Sequence, residues 1–208
     1  MPRGRYALYD SHDHSLLGYE HFHCAVGPSG WRYVSQVLSP SEEHSGSLDL
    51  TLDERGRPIR LEAHASSWRV RGAALDGVTW VRSDPAGQHG QEGNAAAHSF
   101  TGASPAFLVA TALLLGPDST APVRTRLVEL TPPVLAPRTV DQAWALLDTD
   151  THRTDLGPLV VRHYQVSDLH TGDRHDVHLA GDVVVAAPGV ELEDLESPPS
   201  ALPHAGPA

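Results

Sequence analysis

The chain has one cysteine, Cys24, one methionine, and no lysine among its 208 residues. A lone cysteine excludes an internal disulfide framework and a thiolate zinc cluster, and is compatible with a reducing compartment. Long apolar runs are also missing. The longest, residues 106–115, is about half of what a membrane span needs, so no integral membrane segment is expected. No apolar stretch follows Arg3 and Arg5, so no signal peptide is legible and a cytoplasmic location is predicted. All 15 basic residues are arginine, against 26 acids, for a formal net charge of −11. Arginines and acids alternate along the chain and form no basic stripe, which argues against nucleic-acid binding. The acidic balance argues equally against an anionic membrane surface.

What is abundant is alternation with period two, the mark of half-buried strands. Leu48, Leu50 and Leu52 share one face, with Asp49, Thr51 and Asp53 on the other. A turn at Asp53-Glu54-Arg55-Gly56 leads to Ile59, Leu61, Ala63 and Ala65, which resume the apolar face in a hairpin. Residues 19–26 and 31–38 flank a Gly27-Pro28-Ser29-Gly30 turn, and Asp76-Gly77 marks another. Residues 83–94, rich in Gly, Gln, Asp and His, read as a mobile loop. Residues 139–147 fit a helix or a strand. Residues 159–166, 174–179 and 182–187 read as a closing meander.

One segment breaks the pattern. Ser104-Pro105 is a helix start, with Ser as N-cap and Pro at the first helical position, and Gly116-Pro117 is a stop. The residues between are apolar all round, so the helix must be buried on most sides by the sheet. These elements predict a mainly β fold: an antiparallel β-roll or half-barrel of about nine to eleven strands with one buried apolar helix. Residues 1–196 form its single domain, and residues 197–208 a disordered tail.

The run from Gly46 to Arg82 contains Asp53-x-x-Gly56-x-Pro58, then Trp68 and Trp80-Val81-Arg82. It resembles the glycolipid-binding proteins of bacteria. The layout also resembles the lipoprotein-carrier (LolA-like) half-barrels, in which an incomplete apolar barrel is plugged by helices. The resemblance implies an acyl chain or other apolar ligand between sheet and helix.

Trp31, Trp68, Trp80 and Trp144 line either the core or a pocket, and Phe107 lies on the helix facing such a pocket. Arg69, Arg71 and Arg82 either hold an acidic head group at the mouth or form a solvated outer face. The 14 histidines raise metal binding. His12 and His14 flank Asp13, and His21 and His23 share one strand face, so together they offer imidazole nitrogens to zinc, copper or nickel; the alternative is a set of surface histidines. His170, His175 and His178 beside Asp168 offer general-base geometry or an ordinary solvated turn. Cys24 suits a small buried hydrophobe better than a nucleophile. No nucleophile elbow or phosphate-cradling loop appears, and no cofactor is expected. The functional expectation is a binding protein for a hydrophobic or lipid-like small molecule. The alternative is an enzyme on an apolar, polyketide-like or lipid-like substrate, with His/Asp acid–base or metal chemistry.

Overall fold

The computed structural model describes residues 1–27, 30–116, 121–154 and 157–200. Pro28 and Ser29 of the first hairpin turn, Pro117 of the helix stop, and residues 201–208 of the expected tail lie outside the described residues. In chain order the strands are β1 (Arg3–Tyr9), β2 (Leu16–Gly27), β3 (Gly30–Leu38), β4 (His44–Leu52), β5 (Pro58–Ala65), β6 (Trp68–Ala74), β7 (Val78–Ser83), β8 (Gly90–Ala95) and β9 (Ser99–Gly102). The helix α1 (Ala106–Leu115) follows. Then come β10 (Val123–Thr131), β11 (Ala136–Thr154), β12 (Gly157–Asp168), β13 (Arg174–Ala180), β14 (Val183–Ala187) and β15 (Val190–Leu195).

All fifteen strands belong to one sheet in the order β8-β7-β6-β5-β4-β3-β2-β1-β15-β14-β13-β12-β11-β10-β9. Neighbours pair antiparallel, except for the parallel pair β9 and β10. The chain therefore starts in the middle of the sheet, meanders to one edge at β8, jumps to the other edge at β9, and meanders back. Only residues 96–98 separate β8 from β9. Laid flat, fifteen strands would hold the edges about 67 Å apart at roughly 4.8 Å per step. Four residue steps reach only about 14 Å, so the sheet must curl until its edges meet. They overlap without hydrogen-bonding. The buried Phe100 ring of β9 lies on β6, where a Cβ at Gly72 would meet it at 2.5 Å.

The strand count corrects the sequence expectation of nine to eleven. The short β9 and the glycine-rich β8 carry no readable alternation. The 83–94 stretch is not all loop: β8 needs only backbone pairing with β7 along one side, so polar residues suffice. Residues 139–147 are strand, inside the long β11, with inward Trp144 packed edge-on to Tyr164 of β12 at 5.8 Å.

The helix enters the curled sheet from one end, here the upper end, which also carries the β1–β2, β3–β4, β5–β6 and β10–β11 turns. Pro105 is already helical (φ −54°), and the Ser104 hydroxyl accepts the Ala106 N–H at 3.3 Å. Phe107, Val109, Ala110 and Thr111 are buried, whereas Leu108 and the last turn are half-buried. The Thr111 hydroxyl donates to the Phe107 carbonyl at 2.9 Å, which hides the one polar side chain of the helix. Beside the helix a stack of rings crosses three strands: Tyr6 on Phe22 at 4.6 Å, Phe22 on Tyr33 at 5.6 Å, and Tyr33 near Trp31 at 5.6 Å.

At the lower end, two described contacts lie beneath the helix. The β4–β5 turn folds under the helix, and a Cβ at Gly56 would lie 2.5 Å from the Leu114 nitrogen, at a φ of +74°. Asp182, in the β13–β14 turn, is fully buried; its carboxylate accepts the Trp31 indole N–H at 3.3 Å, the Cys24 thiol at 3.4 Å and the Ser200 N–H at 2.7 Å. Ser200 is thus tied to the β13–β14 turn. Among the described residues no helix is long and apolar enough to cross a membrane.

Gly56→Ala should cost about 3 kcal/mol or more in urea unfolding, because a left-handed conformation and a clash with helix backbone add. Gly87 has a similar φ of +66°, with nothing within 4 Å of where an added methyl would stand. Gly87→Ala should therefore cost only the conformational part, about 1 kcal/mol. Equal losses at the two positions would remove the turn–helix contact.

Candidate functional site

Strand β2 sets up the site by its phase. Gly18, Glu20, Phe22 and Cys24 point inward and are buried, while His21 and His23 point outward. The alternation therefore places a carboxylate in register with core residues. Glu20 is fully buried at the upper end, beside the start of the helix. Its Oε1 accepts the Ser104 hydroxyl at 2.6 Å and the Tyr33 hydroxyl at 3.0 Å. Its Oε2 is buried, and the Ser35 hydroxyl on the next strand lies near the carboxyl without a well-formed hydrogen bond. Burial pushes the Glu20 carboxyl above the usual carboxylate range, and the hydroxyls of Ser104, Ser35 and Tyr33 offset this only in part.

Glu20 borders a cavity of about 420 Å³. Strands β1 to β5 supply Leu8, Leu17, Val37, Leu48, Ala63 and Ala65, and the helix entry supplies Ser104 and Phe107. Leu130 of β10, and Pro132, Pro133 and Leu135 of the β10–β11 connection, also line it. Leu135 is buried with φ +50°, a conformation costing about 1–2 kcal/mol for a leucine. The backbone accepts it because the side chain then turns into the apolar interior, away from water.

The sequence-predicted residues divide. Phe107 lines the cavity. Arg82 and Trp68 do not line it: the Arg82 guanidinium stacks 3.4 Å from the Trp68 ring centroid and donates to the Val134 carbonyl at 2.7 Å, tying the connection to β7. Trp31 belongs to the lower end with Asp182. Trp80 faces the β8 edge, where a Cβ at Gly93 would strike its ring. Arg69 and Arg71 do not reach the mouth. They occupy the outer face of β6 and converge with Arg60 and His64 on Glu62. Their position one residue out of phase with Val70 dictates this.

The histidines are also dispersed. His12 and His14 sit in the β1–β2 turn, and the five residue steps from Leu16 to His21 span about 17 Å of strand. Among the described residues no group of three or more His, Cys, Asp or Glu could hold a metal ion. Asp168 caps its turn, accepting the His170 and Thr171 N–H groups at 2.7 and 2.9 Å. Its charge is spent on backbone donors instead of an imidazole. His178 stacks on His163 at 4.3 Å across the outer face. Burial lowers the His175 imidazole below its ordinary value. The Cys24 thiol is raised by burial first and then by Asp182, which leaves it protonated and inert.

Glu20 gives a pH dependence of definite sign. Its folded pKa lies above that of the unfolded chain, so the folded state retains the proton longer. Stability then falls as pH rises from about 4.3, the unfolded value, through the folded pKa. Glu20→Gln cannot titrate. Urea unfolding between pH 4.5 and 8 should show the variant gaining on the wild type as pH rises; parallel curves would remove the buried-acid assignment.

No protein-family model and no curated protein matches the chain. Among solved structures it is similar to a DUF1089 family protein from Pseudomonas aeruginosa, with a TM-score of 0.56 and 15% identity over 84% of this chain and 92% of that one. A second match is a beta-barrel-like protein of domain of unknown function DUF1849 from Brucella abortus, with a TM-score of 0.42 and 13% identity over 94% of this chain and 96% of that one. The first likeness establishes a shared fold, a mainly β curled sheet.

Proposed function

We propose that the chain is a binding protein for a hydrophobic or lipid-like small molecule, held between the curved sheet and the first turns of the helix. The carrying observation is the 420 Å³ cavity at the upper end, mainly apolar, with Ser45, Ser47, His64, Ser66 and Ser104 also on its lining and one buried carboxyl at its border. A pocket with few polar groups among apolar walls is the usual form of a small-molecule site, and this volume falls in the lower part of the usual range. At roughly 30 Å³ per water-sized group it has room for about fourteen such groups. That suits a single chain of about a dozen carbons and excludes a whole two-chain lipid. The resemblance of residues 46–82 to glycolipid-binding proteins supports the same class of ligand. The chain would act in the cytoplasm, where its one buried cysteine needs no oxidising environment.

Burying about ten methylenes at roughly 0.8 kcal/mol each gives about 8 kcal/mol. A micromolar constant follows if the cavity is preformed and ordering costs are small. Titration with the neutral fluorophore N-phenyl-1-naphthylamine should saturate in the micromolar range. Ala63→Leu, which fills the cavity from β5, should weaken binding by about tenfold or more while the fold, followed by circular dichroism, is retained. Absence of saturable binding to the wild type would overturn the reading.

A further inference from the structure

The hairpin of β11 and β12 runs on past both of its neighbours at the lower end. β10 pairs with β11 only as far as Trp144, and β13 pairs with β12 only as far as Val161. Beyond those rows β11 continues to Thr154 and β12 starts at Gly157, and among the described residues the two strands there pair only with each other. The steps from Asp150 to Thr154 make an arm of about 13 Å. Residues 147–154 are exposed throughout, and Leu147 and Val160 stand 50% and 45% exposed. A two-stranded ribbon by itself is only marginally stable in water, whereas three or more strands support one another.

The two bare edges differ. That of β12 runs only from Gly157 to Val160 and contains Pro158, which has no N–H to give a neighbouring strand. That of β11 holds no proline after Pro137, and the chain has no lysine to guard an edge. Past a bulge at Leu147 it reads Asp148-Thr149-Asp150-Thr151-His152-Arg153. Asp148 pairs with His163, but among the described residues Asp150, His152 and Arg153 have no ion-pair partner.

This stretch is complementary to itself in one register. Residues opposite each other in an antiparallel pair share a face, so two identical strands related by a twofold axis must be centred on a residue, never between two. Centring on Asp148, Asp150 or Arg153 sets that charge against its own copy, and centring on Thr149 sets Asp148 against Asp150. Centring on His152 opposes two imidazoles and matches no acid with a base. Centring on Thr151 sets Asp150 opposite His152 and Thr149 opposite Arg153, each pair made twice, with no like charges opposed. Val160 lies opposite Thr151 on β12, so that register also completes a β-branched row, Val160 and Thr151 from each copy, across four strands.

We propose that two copies of this chain associate through antiparallel pairing of their β11 arms about a twofold axis at Thr151, which converts each two-stranded arm into half of a four-stranded sheet. The occupant of the bare edge is thus a second copy of the same edge, recognised by backbone hydrogen bonds and by the Asp150–His152 pairs.

Sedimentation equilibrium of the full chain should give a monomer–dimer equilibrium in the micromolar range, as suits a small edge interface. His152→Asp opposes like charges at both symmetric positions and should weaken association by about tenfold or more. The double variant Asp150→His with His152→Asp exchanges the partners and should return to within about threefold of the wild type. Both should keep the wild-type circular dichroism, because these side chains are exposed. A nitroxide at Thr151→Cys should show dipolar broadening in the dimer, since the two labels stand opposite each other. One at Thr171→Cys, in the exposed β12–β13 turn at the upper end, should not; Cys24 is buried and stays unlabelled. A monomer throughout, a dimer indifferent to His152→Asp, a double variant no tighter than the single, or an unbroadened label at Thr151→Cys would each overturn the proposal.

Discussion

The short step between the two edges of the sheet is the constraint on which the rest depends. Because β8 and β9 are consecutive in sequence yet sit at opposite edges, the sheet has no flat alternative. Curling gives it an inside, and the inside must be filled. The apolar helix, most of whose surface must be covered, is delivered there directly by β9, whose last residue precedes the helix by only three intervening positions. The edge problem of a large antiparallel sheet is thereby reduced, because β9 is tucked against the inner face of β6 and the exposed edge β8 is short and polar.

The outer face answers to a different rule. Arg32 grips Asp49 with two hydrogen bonds at 3.0 and 2.9 Å, Arg60 reaches the same carboxylate, and Glu62 gathers the next arginines. Arg126 with Asp141 repeats the two-pronged geometry on the far side of the sheet. The absence of lysine fits this surface, since a planar fork can satisfy both carboxylate oxygens where an ammonium cannot. Each exposed pair contributes no more than about 1 kcal/mol. Their larger effect is on register, since a one-residue slip would turn every one of them inward.

The fold is legible in the sequence wherever period-two alternation meets a turn. The β4–β5 hairpin around Asp53 and Gly56, and the helix from its start at Ser104, follow directly from their residues. Short strands without alternation, β8 and β9, are not legible, because an edge strand is defined by its neighbour's backbone. For the site the lesson is sharper. Glu20 is the residue that motif reading misses, although its signal is local: it stands in the inward phase with Phe22 and Cys24. A charged residue in the apolar phase of a strand carries more information than a dense set of histidines, which here merely decorate turns and the outer face. Arg69 and Arg71 fall to the same rule, since their phase opposite Val70 already places them outside.

Helix length explains why the cavity lies where it does. Ten residues make about 15 Å of helix, whereas the nine residues of β3 run for about 30 Å. The helix therefore cannot fill the interior from end to end. At the lower end the deficit is met by the β4–β5 turn and by Trp31 with Asp182 beneath it. At the upper end the helix begins only after the chain has turned at Ser104. The nearest side chains there are small (Ala63, Ala65, Ser104) or drawn aside by the β10–β11 connection. The unfilled volume thus has a simple cause: the plug starts a turn too low to cover it. A longer helix would fill it and leave an ordinary core.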